Sequence, residues 1–327
     1  MFVPATFAVA LLMMIASTTC WGSWANTYKM TKGYRFELFY WDYALGIFLI
    51  SLVYALTLGS VSPGPQSFLT NVAGADTSNI VFAMIGGVIF NVANLLLVAG
   101  IEMAGLAVAF PIAIGIALVV GVVLSYIVQP AGNAVMLGAG VVCALVAVVM
   151  DGKAYARLAG AGRPVSTKST TVCVISGLLM GSFAPFVTRA LTTGNALTPY
   201  SIAVFFTLGA FLCCFVVNVY FMKHPLVGDP VDFSGFSTAT FSDHLWGVVG
   251  GFIWGTGTVF NFVAAALTGV AISYAIGQAA PMVAALWGVF VWKEFKGADS
   301  TAKLYLALMF GFYLLALFII ASAYQAG

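Results

Sequence analysis

Charged residues are scarce in this chain: of its 327 residues only 7% are charged, whereas 62% are hydrophobic. Soluble proteins carry roughly a quarter charged residues, because their surfaces must face water. That shortage excludes a soluble globular protein and predicts that lipid is the solvent. We therefore expect an all-α integral protein of the cell membrane (plasma or inner), crossing it many times.

Residues for metal or disulfide chemistry are also few. The two histidines, His224 and His244, lie in a loop or at the edge of an apolar run. The five cysteines all lie inside apolar runs, without metal-ligand spacing: Cys20, Cys143, Cys173, Cys213 and Cys214. With no loop long enough for a catalytic domain, we predict neither an enzyme nor a metal or cofactor site, and no nucleic-acid partner.

Long apolar runs, by contrast, are abundant. A membrane-spanning helix needs about 20 mostly apolar residues. On that measure the chain has ten spans, near 5–27, 38–60, 79–100, 103–127, 132–150, 171–190, 199–222, 244–266, 268–292 and 303–324.

One pattern occurs twice, 164 positions apart. The pair Gly86-Gly87 is followed by a small-residue run from Gly105, and Gly250-Gly251 by a matching run from Gly269. We predict two five-helix repeats, 1–150 and 171–327, joined by a cytoplasmic loop at 151–170. Because each repeat has an odd number of spans, the second must be inverted relative to the first, an arrangement typical of transporters.

Basic residues predict the orientation. With both termini outside, every lysine and arginine except Arg189 lies on the inner side, as the positive-inside rule favours. These residues are Lys29, Lys32, Arg35, Lys153, Arg157, Arg163, Lys168, Lys223, Lys293, Lys296 and Lys303.

Polar residues within the spans are candidates for a substrate site. Asn91 and Asn94 share one face of the third span, and Thr258 and Asn261 lie in the eighth, with Thr258 at the repeat position of Asn94. A side-chain amide must face protein or water in a bilayer, because an unpartnered one is costly in hydrocarbon. The alternative is hydrogen bonding between helices without a ligand.

Aromatic and amide residues in spans one, six and nine complete the candidate set. Trp24 and Phe183 occupy equivalent repeat positions, where they could stack on a flat ligand or belong to an interfacial belt. Tyr274 and Gln278 share a face of the ninth span above Pro281. Gln278 can donate to and accept from an amide edge, so replacing it with alanine is expected to abolish uptake.

Two acids lie close to the spans. Acidic residues inside membranes are rare and often functional. If transport is proton-driven, Glu102 is the first candidate for the titrating group and Asp42 the second. The alternative is that they are solvated or paired with Lys29, Lys32 or Arg35.

The central loop, Gly162 to Ser169, is similar to a phosphate-binding loop. Thr167 stands where that motif needs its second glycine, and an apolar span follows instead of a soluble fold. We therefore expect no bound nucleotide.

Four longer motifs resemble those of the ureide permease family, within the drug/metabolite transporter superfamily. They are the runs Trp21–Asn26, Phe39–Tyr43, Ala271–Gln278 and Ala285–Gly297. The resemblance covers nearly the whole chain. It implies ten helices in two inverted repeats, alternating access and proton-coupled uptake of allantoin, uracil, xanthine or similar cyclic amides.

The sequence thus predicts a secondary transporter that imports a small neutral nucleobase or ureide, with protons or another ion as the coupling partner. Sugar uptake (glucose or ribose) or drug and metabolite transport on the same fold is the nearer alternative, and a non-transporting receptor or scaffold the more distant one. The sequence leaves the oligomeric state open.

Overall fold

Ten helices in the computed structural model are long and apolar enough to cross a membrane, as predicted. The structure describes residues 1–61, 64–158 and 166–325, and within them it contains no β-strand. The ten helices are α1 (Phe7–Lys29), α2 (Phe36–Ser60), α3 (Thr77–Ala104), α4 (Leu106–Val128), α5 (Ala134–Leu158), α6 (Thr167–Thr192), α7 (Pro199–Lys223), α8 (Phe241–Thr268), α9 (Val270–Val291) and α10 (Ser300–Gln325). Short helices at Phe68–Gly74 and Phe233–Thr238 lie in the connections.

The connection between the repeats is shorter than the predicted 151–170. Helix α5 continues eight residues beyond the predicted end, because Asp151 and Lys153 interrupt the apolar run without ending the helix. Helix α6 begins at Thr167, after Ser166 and Ser169 form a reciprocal cap. Half of the phosphate-loop-like segment, residues 162–165, lies outside the described residues.

Helices α3 and α8 are equivalent elements related by the 164-residue repeat. Both have 28 residues, their first and last residues are 164 positions apart, and each is followed by a glycine. Gly105 and Gly269 have φ of 77° and 81°, a region that favours glycine because it lacks a Cβ atom. The two halves therefore share a scaffold; the inversion between them stays a prediction.

Glycines bring the halves into close contact. In each half, two glycines lie so close to a facing helix that an added Cβ would overlap a backbone carbonyl oxygen. The pairs are Gly87 with Phe206, Gly209 with Met84, Gly251 with Tyr43, and Gly46 with Val248. Small residues of this kind let membrane helices approach closely, so these four contacts hold α3 against α7 and α8 against α2.

The third helix of each half packs on the other half. Helix α3 lies against α6 and α7, and α8 lies against α1 and α2, while α5 and α10 form a separate pair. The interior between the halves is therefore built mainly around α3 and α8.

Three helices are interrupted within their spans. Helical hydrogen bonding is interrupted locally in α1 at Trp24 and in α6 at Phe183, although both residues keep helical backbone angles, and the two occupy the same place in the two halves. Helix α9 ends its first segment at Gly277 and resumes at Ala280. Pro281 accounts for that break, since it suits the first turn of a helix and not its interior.

The two ends of the molecule differ in charge. The end at which α1 ends and α2 begins, here the charged end, carries nearly all the basic residues that the structure describes. The opposite end, here the termini end, carries both chain termini and Arg189, whose guanidinium lies 4.7 Å from the centre of the Phe82 ring. Which end faces the cytoplasm stays a prediction.

Candidate functional site

A continuous series of aromatic rings crosses the interior between the halves. We call it the central aromatic cluster. Its main side-chain rings are, in order, those of Trp24, Tyr43, Trp254, Phe90 and Phe183. Successive ring centres are 4.7, 6.3, 4.3 and 6.0 Å apart. The predicted pair Trp24 and Phe183 is therefore joined through three rings that the sequence analysis did not select.

Phe90 and Trp254 form the middle of this cluster. They are 164 positions apart and stack on each other with their planes at 24°. Phe206 lies 5.6 Å from Phe90, and Trp21 lies 6.0 Å from Trp254. Equivalent residues of the two halves thus meet face to face, and the repeat register alone could have identified this pair.

A patch of polar groups adjoins the cluster on the side of the first half. Asn94 Nδ2 donates to the Tyr40 hydroxyl at 3.3 Å, and the Cys214 thiol donates to Asn91 Oδ1 at 3.6 Å. The ring of Tyr40 lies 5.2 Å from that of Tyr43. Both tyrosines belong to the Phe39–Tyr43 run that carries the family resemblance, although neither was among the predicted site residues.

Two donors in this patch are unused. Asn91 Nδ2 and the Tyr43 hydroxyl are both fully buried, and neither has a hydrogen-bond partner among the described residues. A buried donor left unsatisfied costs about 1–3 kcal/mol, which a ligand acceptor would recover. Beside flat aromatic rings, these donors suit the carbonyl oxygens of a planar amide.

The predicted polar residues of α8 have partners within the protein. Trp21 Nε1 donates to Thr258 Oγ1 at 3.1 Å. Asn261 Nδ2 donates to the Ser273 carbonyl oxygen at 2.9 Å, and the Ser273 hydroxyl donates back to Asn261 Oδ1 at 3.3 Å. These bonds tie α8 to α1 and α9.

The hydroxyl group of Tyr274 likewise has hydrogen-bond partners within the protein. It is almost fully buried, and its hydroxyl lies 3.1 Å from the Met180 carbonyl oxygen and 3.3 Å from that of Ala117. Its ring meets Phe183 edge to face at 5.7 Å. Tyr274 therefore connects the cluster to α4 and α6.

Gln278 is half-buried at the break in α9. The preceding Gly277 lies against the Trp21 ring, with Asn261 Nδ2 close by. The break thus places Gln278 next to the second-half side of the cluster.

Of the two predicted acids, Asp42 is paired, though not with the lysines or arginine considered. Its Oδ2 lies 2.8 Å from His244 Nδ1 and accepts from the Tyr34 hydroxyl at 3.0 Å. Burial and the nearby Asp42 raise the pKa of Tyr34 well above its ordinary value, so Tyr34 acts as a donor. The alternative in which Asp42 pairs with Lys29, Lys32 or Arg35 is not the arrangement found, because α8 brings a histidine to its carboxylate.

Arg35 instead pairs with Glu37, at 2.8 Å. The hydrogen bond to Glu37 is the main cause that raises the pKa of Arg35. Glu102 lines a cavity of about 30 Å³ at the charged end, together with Glu37. A larger cavity of about 730 Å³ opens at the same end, between the α1–α2 and α7–α8 connections.

Comparison with known proteins shows to which protein family the chain belongs. The ureide permease family model matches residues 39–162 and 169–323. The chain belongs to the ureide permease family. It is 24% identical over 377 residues to ureide permease 1 of Arabidopsis thaliana, covering 96% of this chain and 95% of that protein. Ureide permease 2 of the same plant is also 24% identical, over 385 residues.

Membership of this family makes the protein a membrane transporter and not an enzyme. A solved crystal structure, 15% identical in sequence, matches with a TM-score of 0.60 over 97% of this chain and 98% of that one. At such low identity this match shows a shared fold alone. Probable ureide permease A3 of Vigna unguiculata is a further relative, 23% identical over 328 residues.

Proposed function

We propose that this permease imports a small neutral cyclic amide, a ureide or a nucleobase such as uracil, allantoin or xanthine. The observation that carries the proposal is the pair of unused donors, Asn91 Nδ2 and the Tyr43 hydroxyl, beside stacked rings where the halves meet. Planar cyclic amides present carbonyl oxygens at their edges and flat faces to such rings. The names of the plant relatives agree with this substrate class.

In the proposed site, the predicted residues divide into two groups. Trp24 and Phe183 flank the substrate at the ends of the ring series, while Asn91 and Asn94 bind its edge. Residues of the second half shape the opposite wall: Thr258, Asn261, Tyr274 and Gln278. Selectivity follows because an analogue without carbonyl groups leaves the buried donors unpaired.

Alternating access is the proposed mechanism. The shared lengths of α3 and α8, the matched glycine contacts and the exchange of partners between halves support two rigid units, one built on α3, α6 and α7 and the other on α1, α2 and α8, that rock about the cluster. The helix interruptions at Trp24, Phe183 and Gln278 all border the cluster, so changes in backbone angle could occur beside the substrate.

Proton coupling is part of the proposal, with Glu102 and Asp42 as the acids that the sequence predicts. Asp42 and His244 come from different halves, so a proton bound there would act on the contact between them.

Uptake by purified protein in liposomes tests the function. We expect accumulation of radiolabelled uracil or allantoin, greater with an inward proton gradient, and thermal stabilisation by the same compounds. Stabilisation and uptake by glucose or ribose instead would favour the sugar alternative. Binding without uptake of any of these compounds would favour a receptor.

A further inference from the structure

An acidic residue outside the central cluster is buried in the seam between α5 and α10. Asp151, near the charged end of α5, is only 5% exposed. Its Oδ1 has no hydrogen-bond partner among the described residues. Intramembrane acids without a partner are rare and mark ion or proton sites by default.

The groups around Asp151 are polar but uncharged or already paired. Tyr313 of α10 is fully buried, its hydroxyl also has no partner among the described residues, and the Asp151 carboxylate acts on it electrostatically. Tyr155, one turn further along α5, is within the same electrostatic reach. The other helices packed on α5, which are α4 and the Ala280–Leu286 segment of α9, bring no charged residue to it.

The nearby basic residues are engaged elsewhere. Arg157 Nη1 lies 3.9 Å from Asp299, and Lys153 Nζ lies over the Tyr305 ring at 5.6 Å. None of the ion pairs found among the described residues includes Asp151. Burying a carboxylate without a counter-ion costs several kcal/mol, and binding a proton removes the charge.

From Tyr155, one turn beyond Asp151, two polar contacts lead to the charged end. Tyr155 donates its hydroxyl to Glu294 Oε2 at 3.3 Å, and Glu294 Oε1 accepts from Lys29 Nζ at 2.8 Å. The side chains of Lys29 and Glu294 are 47% and 29% exposed. Lys29 ends the same helix, α1, that carries Trp24 of the central cluster.

We propose that Asp151 is the carboxyl group that binds the coupling proton, an inference that rests on the proposed proton-coupled uptake. A proton from one aqueous side binds the carboxylate, and the same proton leaves to the other side once per transport cycle. Protonated Asp151 is neutral and tolerates burial beside Tyr313, whereas ionised Asp151 requires a donor or water in the seam. The two forms therefore favour different packing of α5 against α10.

The test separates coupling from substrate movement. Asp151→Asn is compared with Asp299→Asn, a matched change of an acid whose side chain is 54% exposed. In liposomes we expect Asp151→Asn to lose proton-driven accumulation of uracil and allantoin while it still exchanges labelled for unlabelled substrate. In a pH titration of detergent-purified protein without substrate, the infrared band of a protonated carboxyl should weaken in Asp151→Asn alone.

The outcomes distinguish the two proposals. If uptake by the wild-type protein is the same with and without a proton gradient, the proposed proton coupling itself is wrong. If Asp151→Asn still shows gradient-driven accumulation, or if the substitution leaves the infrared band unchanged, Asp151 is not the proton-binding group. Either result overturns only this assignment and not the proposed proton coupling. If Asp151→Asn fails to insert, Asp151→Glu keeps the carboxyl and must accumulate substrate with an altered pH dependence. Equal loss of accumulation and exchange in Asp151→Glu would also overturn the assignment.

Discussion

Helices α3 and α8 have the same length and the same place in their halves, yet their polar side chains differ in whether their hydrogen-bonding groups have partners. On α3, Asn91 keeps an unused donor beside the central cluster. On α8, Thr258 and Asn261 are bonded to neighbouring helices. The comparison indicates that repeated glycines and rings build the frame, while the unmatched polar groups leave a donor unused in one half and bond neighbouring helices together in the other.

The largest expected effect tests the shared frame. Gly87→Ala and Gly251→Ala should each destabilise the protein by about 3 kcal/mol or more, the upper end for overpacking, because the new Cβ meets a backbone carbonyl that cannot move aside. Thermal unfolding in detergent measures this. Gly138→Ala, on an open face of α5, is the control and should leave the unfolding temperature unchanged. A large loss for only one of the two glycines would show that the halves are not packed equivalently.

A second pair of equivalent positions carries opposite hydrogen-bonding roles. Asn79 Nδ2 donates to the carbonyl oxygens of Thr193 and Asn195, at 2.7 and 3.1 Å, whereas Asp243 Oδ1 accepts from the Lys32 N–H at 3.1 Å. Asn79→Asp should cost about 2–3 kcal/mol, because it replaces two bonds by a buried carboxylate facing carbonyls. Asp243→Asn keeps the acceptor for Lys32 and loses only the one that Oδ2 offers to Thr240, so it should cost less, about 1 kcal/mol.

Thermal unfolding of both variants at one pH measures that difference. Asn79→Ala is the useful companion, since it removes the bonds without adding charge and should lie between them. Equal losses for Asn79→Asp and Asp243→Asn would contradict the assigned donor and acceptor roles.

The third expectation separates binding from cohesion. Asn91→Leu should lower uptake about tenfold, as loss of one hydrogen bond to substrate implies, with little change in unfolding temperature. Asn261→Leu should instead destabilise the protein by about 1–2 kcal/mol, because it removes both hydrogen bonds between α8 and Ser273 of α9. Uptake per folded molecule and thermal unfolding together test both. An Asn91→Leu variant that transports normally removes Asn91 from the site.

The sequence predicted the helices well because apolar runs of membrane length are unambiguous. It misplaced the end of α5, where Asp151 and Lys153 look like a loop but remain helical. Burial of Asp151 against α10 depends on which helices pair, and hydropathy does not encode that pairing.

Only part of the candidate site could be predicted from the sequence, because the rest depends on which helices pack together. Asn91 and Asn94 were conspicuous as amides in an apolar span, and the repeat pointed to Trp24 and Phe183. Tyr43 and Trp254 resembled ordinary aromatic residues of a membrane protein. Their role depends on the crossings of α2, α3 and α8, which bring the rings together.

The smallest expected effect concerns the central stack itself. Phe90→Trp adds a larger ring and Trp254→Phe removes one, so each single change should destabilise the protein through overpacking or a cavity. If the two rings occupy equivalent places across the halves, the double variant exchanges them and should recover about 0.5–1.5 kcal/mol relative to the sum of the single changes. A double-mutant cycle by thermal unfolding measures that coupling. Strict additivity would mean that the stack is a coincidence of neighbouring side chains, and the frame would then depend on the glycine crossings alone.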